Sequence, residues 1–510
     1  MKPEFFVFLA AYFALVLLAG LVFARRMKNL EDFFLASRNV SSGLIFLSLT
    51  AAWFGATSIL VSTDEALKAG VSAFWIVGMP AVVTVILLAL FLAGPLRRLP
   101  ILTIPDLVEL RYGRLVRHLS SVLIIWYMVM LAASQMVALG QFLKTFLGLS
   151  YIASLALGTA VVLIYSITGG LRSVVFTDAV QFLLLTAGVS GLVIFLAGRV
   201  SWPEISRLAA QSGQNGYFDL FHNLKENGLI AFSFTLAWTI SPIALQRIQA
   251  GRSIQAARKG LFATAAALFL LYGFVVLIGI FSLPLFSGQT LSNPLVSEII
   301  ASKVGLWFGG ILFVGVLAAI LSTMDTAINT GALSVTRDVH LQVFPASRLS
   351  PVLTGRLATF LLGAAAFLVA SRFQSILKTI GLSSEIMAEG FFIPGVAMIF
   401  LKKRVPLAGL LSLCLGGGFS ILSFLGAANV LALRLPARRR FRYSSPPRTV
   451  IRVDLAQSQM MGLPRASINH QRRRSVKVIV EIITENRSAV NSQSSPGHNS
   501  NPPPGRILIS

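Results

Sequence analysis

The sequence predicts an all-α, polytopic membrane protein with about twelve transmembrane helices. The first observation is composition, since 55% of the 510 residues are hydrophobic and only 12% are charged. That is more apolar surface than a water-soluble core can hide. The second is pattern, because apolar runs of near-spanning length follow one another along the chain. The third is charge, because Lys and Arg gather in short stretches between these runs.

The apolar runs are each about 20 residues long, enough to cross the ~30 Å hydrocarbon layer of a bilayer. The first, Phe5–Ala24, leads into Arg25 without a small-residue cleavage site, which favours a retained helix over a signal peptide. The runs begin near Phe5, Gly43, Ser72, Leu119, Tyr151, Val174, Leu229, Leu261, Leu306, Leu357, Thr379 and Pro406.

Positive charge is unevenly distributed along the chain. The formal net charge of +24 would suit a nucleic-acid-binding protein, but Lys and Arg lie between the apolar runs and not on one basic domain. They concentrate in every second connecting stretch, at residues 25–38, 97–118, 247–259, 337–356 and 402–404. The positive-inside rule places these stretches in the cytoplasm. This predicts a multi-pass plasma-membrane protein with its N-terminus outside, a lipid bilayer as partner and no nucleic acid.

Residues for catalysis are scarce in this sequence. The single cysteine, Cys414, excludes an intramolecular disulfide and a Cys-based metal site. No nucleophile–base pair, metal-ligand cluster or phosphate-binding loop stands out in the sequence. The chain is therefore predicted not to be an enzyme. Its function is sought in the polar groups within the apolar runs, because such groups are costly in lipid.

The run that begins near Leu306 contains the segment AAILSTMD, residues 318–325. Ala319, Ser322 and Thr323 stand at positions i, i+3 and i+4, which places two hydroxyls and a backbone carbonyl on one helix face. Hard cations prefer oxygen ligands, and neutral oxygens bind a monovalent ion weakly enough to release it. The segment favours either a small cation site or small-residue helix packing with internal hydrogen bonds.

The second run contains the segment TAAWFGATS, residues 50–58. Gly55 follows two bulky aromatic residues and has small residues around it, a pattern that permits a helix break. Broken helices occur at membrane depth where they line a cavity, and the freed carbonyls, here of Ala51 and Phe54, are typical ion ligands. An intact helix with an aromatic stripe is the alternative.

Four segments of the sequence resemble the sodium/solute symporter family. The most specific one spans residues 167–181 and reads ITGGLRSVVFTDAVQ. The others are LTIPDLVELRYG at residues 102–113, QRIQAGRSIQAARKG at residues 246–260 and TRD at residues 336–338. The resemblance extends from residue 1 to about residue 430 of this chain.

The resemblance implies the leucine-transporter-type fold, in which two inverted five-helix repeats enclose ion and solute near the bilayer midplane and peripheral helices flank them. The broken segment and Trp238 would then begin the two repeats. The implied division is an N-terminal helix and inner loop at 1–42, a first repeat at 43–200, an outer loop at 201–228, a second repeat at 229–404, a last transmembrane helix at 405–435 and a basic tail at 436–510.

The resemblance also implies a sodium site. It would consist of Ala319, Ser322 and Thr323 with the backbone of Ala51 and Phe54, and sodium would be the coupling ion. Asp178 matches the acidic residue of the family signature and is expected on the cation pathway, with a helix cap after Thr177 as the alternative. Asp325 is expected to hold the field around the ion or to make a structural hydrogen bond.

Solute contacts are harder to predict because they vary within this fold. Trp53, Gly55, Thr57 and Trp238 are candidates, and aromatic rings can hold a quaternary ammonium group through cation–π attraction. The solute would be small and organic, such as an amino acid, a choline-like cation or a carboxylate. The predicted function is sodium-coupled symport by alternating access. The alternative is a transporter-like sensor that binds solute without accumulating it.

The C-terminal end departs from the family pattern. After Leu433 the sequence becomes rich in Arg and then in Ser, Asn and Pro, which predicts a disordered tail. Members commonly carry a thirteenth span, and none is apparent here. Twelve spans from an outside N-terminus would also leave this basic tail outside, in conflict with the positive-inside rule. An altered or truncated end would explain both features.

Overall fold

The structure is a computed structural model of the chain. It describes residues 4–420 except 25–29, 77, 100, 212–215, 345–347 and 401–404. Within these ranges every regular element is helical, apart from one isolated bridge between Val40 and Gly251. The predicted all-α fold class is confirmed. The predicted tail, 436–510, lies outside the described residues.

The described residues form twenty α-helices, which are numbered here in chain order. They are α1 Phe5–Ala24, α2 Leu30–Leu35, α3 Ser42–Trp53, α4 Ser62–Ala69, α5 Gly78–Leu87, α6 Ala93–Arg98, α7 Ile104–Tyr112, α8 Arg114–Leu147, α9 Tyr151–Ala197, α10 Trp202–Gln211, α11 Leu224–Thr239, α12 Pro242–Ala250, α13 Ile254–Phe286, α14 Leu295–Ser302, α15 Leu306–Ser334, α16 Leu341–Val343, α17 Pro351–Arg372, α18 Ile376–Ile386, α19 Phe392–Phe400 and α20 Pro406–Ser412. Short 3₁₀ turns occupy Ala36–Arg38 and Gly70–Trp75, and π turns occupy Thr57–Val61, Leu88–Leu92, Val335–His340, Met387–Phe391 and Leu413–Gly417.

Seven helices of the described chain are long and apolar enough to cross a membrane, or eight if the bent pair α11 and α12 is one span. The prediction of about twelve spans differs because several predicted spans are built from shorter helices. α3 has 12 residues, and α18 has 11. The spans predicted from Tyr151 and Val174 both lie in the 47-residue α9. Each of the twelve predicted starts lies in or beside a described helix.

α9 is divided by a kink at Gly170. This residue has φ +52° and ψ −157°, a conformation that only glycine adopts without strain. A Cβ at this position would lie 2.7 Å from the backbone oxygen of Phe33. Gly170 of the segment ITGGLRS therefore provides the turn between two helical spans, where α2 packs against the kink.

The first broken helix consists of α3, the π turn that begins at Thr57, and α4. Ser41 caps α3 by accepting a hydrogen bond from the N–H of Leu44. α3 ends at Trp53, and Phe54 has non-helical φ −96° and ψ 69°. The helix begins again at Gly55, whose carbonyl accepts from the N–H of Ser58. The predicted break is confirmed, and the alternative of an intact helix is wrong.

The second broken helix consists of α11 and α12, which meet at an angle of 47°. Ile240 is non-helical, with φ −101° and ψ 56°. Ser241 then caps α12, and Pro242 occupies its first turn, where a missing N–H costs nothing. Thus each of the two predicted repeats begins with a broken helix. The residue boundaries of the repeats and of the other predicted segments stay a prediction.

α15 lies in the centre of the bundle. Every residue from Gly315 to Ser334 is buried, which is typical of a helix that has protein on all sides. α15 packs mainly against α9 and α8, and it also contacts α3. The hydroxyl-rich segment predicted as a cation site is therefore held by the interior of the protein and does not face lipid.

Described residues of three Lys- and Arg-rich stretches, 25–38, 97–118 and 247–259, meet on one side of the bundle. The start of α3 adjoins the end of α12, because the N–H of Arg252 donates to the carbonyl of Val40 at 3.0 Å. Arg97 donates to the Gly251 carbonyl at 3.1 Å, and Arg38 donates to the Gln249 side chain at 3.2 Å. This face is called the arginine-rich side below.

Candidate functional site

The break in α3 meets α15 at the predicted cation-binding segment. The Ser322 hydroxyl lies 2.9 Å from the carbonyl of Ala51 and 3.0 Å from that of Ala319. The Thr323 hydroxyl lies 3.4 Å from the same Ala319 carbonyl. Ala51, Ala319 and Ser322 are fully buried, and Thr323 is 5% exposed. These contacts thus link four of the five predicted sodium-site residues.

The break explains why the Ala51 carbonyl is free for this contact. In a continuous helix it would accept from the N–H of residue 55, but the helix stops at Trp53 and begins again at Gly55. Phe54, the fifth predicted residue, lies at the break and is fully buried. Its ring packs on Tyr272, with 5.3 Å between ring centroids.

The predicted cation ligands at the break are all oxygen atoms. Within the described residues no group of three or more His, Cys, Asp and Glu side chains is arranged to hold a metal ion. The possible ligands at the break are instead hydroxyl and main-chain carbonyl oxygens, which suit a hard monovalent cation. The residues present fit a sodium ion in donor chemistry.

A cavity of about 70 Å³ lies between the two broken helices. All four predicted solute contacts, Trp53, Gly55, Thr57 and Trp238, line it, and so does Thr323. The remaining lining residues are Ala52, Ser58, Tyr127, Leu131, Gln135, Ser241, Ile243, Tyr272, Ile380, Ser383 and Ser384. Since Thr323 belongs to both groups, the cavity and the predicted sodium site are contiguous.

Gln135 of α8 is a lining residue that sequence analysis missed. Its side-chain oxygen accepts from the N–H of Ala56 at 2.9 Å and so satisfies a donor at the restart of the first broken helix. Its side-chain nitrogen donates to Ser134 at 3.1 Å. An amide in an apolar span is the sequence signal that would have pointed to it, because buried amides need partners.

Tyr272 of α13 is a second lining residue that sequence analysis missed. Its hydroxyl lies 2.7 Å from that of Ser58, and its ring supports Phe54 at the break. It therefore joins α13 to both halves of the first broken helix. A single tyrosine in an apolar run gives no sequence signal for these partners, because they are more than 200 positions away.

Gly55 has a packing role besides its position in the cavity wall. A Cβ on Gly55 would touch the Thr323 hydroxyl and would lie 2.8 Å from the Gln135 side-chain oxygen. Only glycine lets the backbone pass between these two side chains. The residue therefore fixes the distance between the cavity, α8 and α15.

Asp178 is fully buried in the second part of α9. It accepts hydrogen bonds from the Ser48 hydroxyl and, at 3.2 Å, from the Arg247 guanidinium. α9 continues on both sides of it, so the alternative of a helix cap is wrong. Its other carboxylate oxygen has no hydrogen-bond partner among the described residues.

Arg247 of α12 is also fully buried and connects three other helices. Besides Asp178 in α9, it donates to Ser48 of α3 at 2.9 Å and to Thr326 of α15 at 2.9 Å. Ser241, the cap of α12, and Ile243 within it line the cavity, so Arg247 lies about one turn nearer the arginine-rich side. The motif around Arg247 was noted in the sequence, but the role of this guanidinium was not.

Asp325, the second predicted pathway residue, is fully buried in α15. The Tyr165 hydroxyl donates to one of its oxygens at 2.6 Å, while the other has no partner among the described residues. Asp325 directly precedes Thr326, whose hydroxyl accepts a hydrogen bond from Arg247. The structure thus places two buried carboxylates and one buried guanidinium between the cavity and the arginine-rich side.

Comparison with known proteins identifies the family. The model of the sodium:solute symporter family matches residues 33–417, about three quarters of the chain. The chain belongs to the sodium:solute symporter family. The symporter is 26% identical over 435 residues to a sodium/glucose cotransporter of Vibrio parahaemolyticus, and the alignment covers 77% of this chain and 79% of that protein.

A second relative of the symporter is a sodium/proline symporter of Haemophilus influenzae. The two are 24% identical over 441 residues, with coverage of 80% and 86%. A solved structure of a Na⁺-coupled sialic acid symporter, in a substrate-bound outward-open state, matches with a TM-score of 0.69 and 20% identity. This match covers 85% of this chain and 92% of that one, and it shows the fold.

Family membership makes the protein a sodium-coupled symporter of a small organic solute, with sodium as the coupling ion. It is a multi-pass membrane protein, and its family and relatives are transporters. The predicted family, fold class and sodium coupling are confirmed. The individual site residues stay predictions, and they are developed as proposals below.

Proposed function

We propose that the symporter binds its coupling sodium ion with the hydroxyls of Ser322 and Thr323 and the carbonyls of Ala51, Phe54 and Ala319. The supporting observation is the 2.9 Å contact between Ser322 in α15 and the Ala51 carbonyl at the break of α3. It brings a hydroxyl and a carbonyl from two different helices to one point. A cation held there stabilises the contact between α3 and α15.

The cavity is the proposed solute site. Trp53, Gly55, Thr57 and Trp238 surround it where both broken helices meet, and Thr323 connects it to the sodium site. Because the two sites share a residue, each ligand fixes the wall of the other. The coupling free energy between sodium and solute is then favourable, as symport requires.

Asp178, Asp325 and Arg247 are proposed to control passage toward the arginine-rich side. They lie between the cavity and that side, and Arg247 joins α12 to α3, α9 and α15. In alternating access these contacts hold the passage closed until α3 and α12 move relative to α9 and α15. A charge that crosses 100 mV of membrane potential supplies about 2.3 kcal/mol for this cycle.

The proposal extends to topology and location. We place the symporter in the plasma membrane with the arginine-rich side in the cytoplasm and the N-terminus outside, because Lys and Arg favour cytoplasmic ends. The repeats would span residues 43–200 and 229–404, since each then begins with a broken helix. The solute is small and organic.

The decisive experiment is sodium-driven uptake into proteoliposomes with a panel of radiolabelled amino acids, carboxylates, choline-like cations and sugars. We expect Ser322→Ala plus Thr323→Ala to lower the apparent sodium affinity by about tenfold or more, since each lost interaction with a cation is worth ~1–3 kcal/mol. The result is checked from the sodium concentration that gives half-maximal uptake.

The matched control is Ser282→Ala plus Thr359→Ala. These buried hydroxyls donate only to carbonyls of their own helices, Ser282 to Ile278 at 2.6 Å and Thr359 to Gly355 at 2.8 Å. Uptake whose sodium dependence is the same in both double variants would refute the proposed sodium site. Sodium-dependent binding without accumulation would instead indicate a sensor.

A further inference from the structure

Several hydroxyls line the cavity. Most of its hydroxyls are already bonded, such as Ser58 to Tyr272 and Ser383 to the Ile380 carbonyl. Two hydroxyls differ, because the oxygens of Thr57 and Ser384 are buried without a partner among the described residues. Ser384 is only 5% exposed. A buried hydroxyl without a partner is costly, so this pair points to a ligand group that binds it.

The charge of the cavity restricts the ligand further. None of the described residues that line it is Asp, Glu, Lys, Arg or His. The proposed sodium ion lies next to it, because Thr323 belongs to both sites. A cationic solute would therefore meet a positive charge and no compensating acid, whereas an anionic group would be attracted to the ion.

The rest of the wall is suited to an apolar body. Trp53, Trp238, Tyr127 and Tyr272 contribute aromatic rings, and the cavity volume is about 70 Å³. A compact hydrocarbon skeleton fits such a wall. A sugar would bring many hydroxyls against this aromatic wall, and groups left without a partner there would lose their hydrogen bonds to water.

We propose that the transported solute is a compact carboxylate, whose two oxygens accept from Thr57 and Ser384 and whose charge is balanced by the sodium ion beside Thr323. This inference rests on the proposed sodium site. The carboxylate faces the break in the first helix, and the apolar part of the solute packs against the aromatic rings. The carboxylate and the sodium ion then neutralise each other in the cavity.

The test uses matched pairs that differ in the carboxylate alone. L-proline and L-prolinamide, pantothenate and panthenol, and lactate and lactamide are added with D-glucose and choline to the purified full-length protein. Binding is measured as the rise in thermal unfolding temperature with sodium and with potassium. We expect each carboxylate to give a sodium-dependent rise at a concentration about tenfold lower than its partner does.

Two variants examine the assigned contacts. Ser384→Ala is expected to weaken carboxylate binding by about tenfold while the sodium affinity is kept, because it removes one charged hydrogen bond. Gln135→Glu adds a negative charge to the wall and is expected to reverse the preference within the L-proline and L-prolinamide pair. The Ser282→Ala control should bind as the unchanged protein does.

The outcomes separate this inference from the proposed function. Sodium-driven accumulation of a sugar, a choline-like cation or an amide in preference to carboxylates would overturn the substrate class and leave symport intact. Binding by none of the carboxylates would also overturn it. If no solute is accumulated with sodium, the proposed function itself fails.

Discussion

At the residue scale, Gly55 shows how one position serves both ligand sites. The backbone at Gly55 passes between Thr323 of the proposed sodium site and Gln135 of the cavity wall. Neither side chain can move freely, because Gln135 holds the Ala56 N–H and Thr323 contacts the Ala319 carbonyl. Any added atom therefore displaces part of the sodium site or part of the cavity wall.

We predict that Gly55→Ala lowers the apparent affinities for sodium and solute together, each by about tenfold, since overpacking costs ~1–3 kcal/mol. The measurement is the concentration dependence of uptake for each ligand. Gly273→Ala is the control, because a Cβ on Gly273 in α13 has nothing within 4 Å. If Gly55→Ala changed only the solute affinity, the two sites would not be connected through Gly55.

Residues of this kind mark the limit of prediction from the sequence. The spacing of Ala319, Ser322 and Thr323 follows from helix periodicity, so the shared face was predictable. The contacts of Gln135 and Tyr272 were not, because they depend on how α8 and α13 pack against a break far away in the chain. Periodicity gives the face of a helix but not its neighbour.

At the element scale, the buried charges on α9, α12 and α15 are unequal in number. Asp178 and Asp325 supply two carboxylates, and Arg247, which pairs with Asp178, is the only guanidinium paired with either of them among the described residues. Burial of an unpaired charge is far more costly than burial of a pair. The fold therefore depends more on the arginine than on either aspartate.

We predict that Arg247→Gln destabilises the symporter more than Asp178→Asn does. Loss of the guanidinium leaves two buried carboxylates without a cation, while Asp178→Asn leaves one carboxylate beside Arg247. Breaking such a pair costs roughly 3–5 kcal/mol. The check is the thermal unfolding temperature in detergent. Arg117→Gln serves as a comparison, because it breaks a second buried network, in which Arg117 pairs with Asp106 and Asp338. Equal destabilisation by Arg247→Gln and Asp178→Asn would contradict the charge argument.

The helix break was predictable because its sequence is local. Small residues around Trp53 and Phe54 allow the helix to stop there, and the same local rule applies to Ser241 and Pro242 before α12. The number of membrane-spanning helices was not predictable in this way, because half-helices such as α3 and α12 are shorter than a full span. Hydropathy alone cannot tell a half-helix from an ordinary short one.

At the scale of the whole molecule, the direction of α13 makes membrane orientation testable. α13 has 33 residues and so extends about 50 Å, more than the ~30 Å hydrocarbon layer. Arg252 precedes it on the arginine-rich side and Ser287 follows it, and both are exposed. These two residues therefore lie on opposite sides of the membrane, whichever way the symporter is inserted.

We predict that Ser287→Cys reacts with a membrane-impermeant maleimide in intact cells, whereas Arg252→Cys reacts only after permeabilisation. The chain offers a simple background for this experiment, because Cys414→Ser removes its single cysteine. Sodium-driven uptake by each variant verifies that the labelled protein is folded. Labelling of Arg252→Cys in intact cells, with Ser287→Cys protected, would reverse the proposed orientation. Since Lys and Arg are retained on the cytoplasmic side during insertion, we expect the first result.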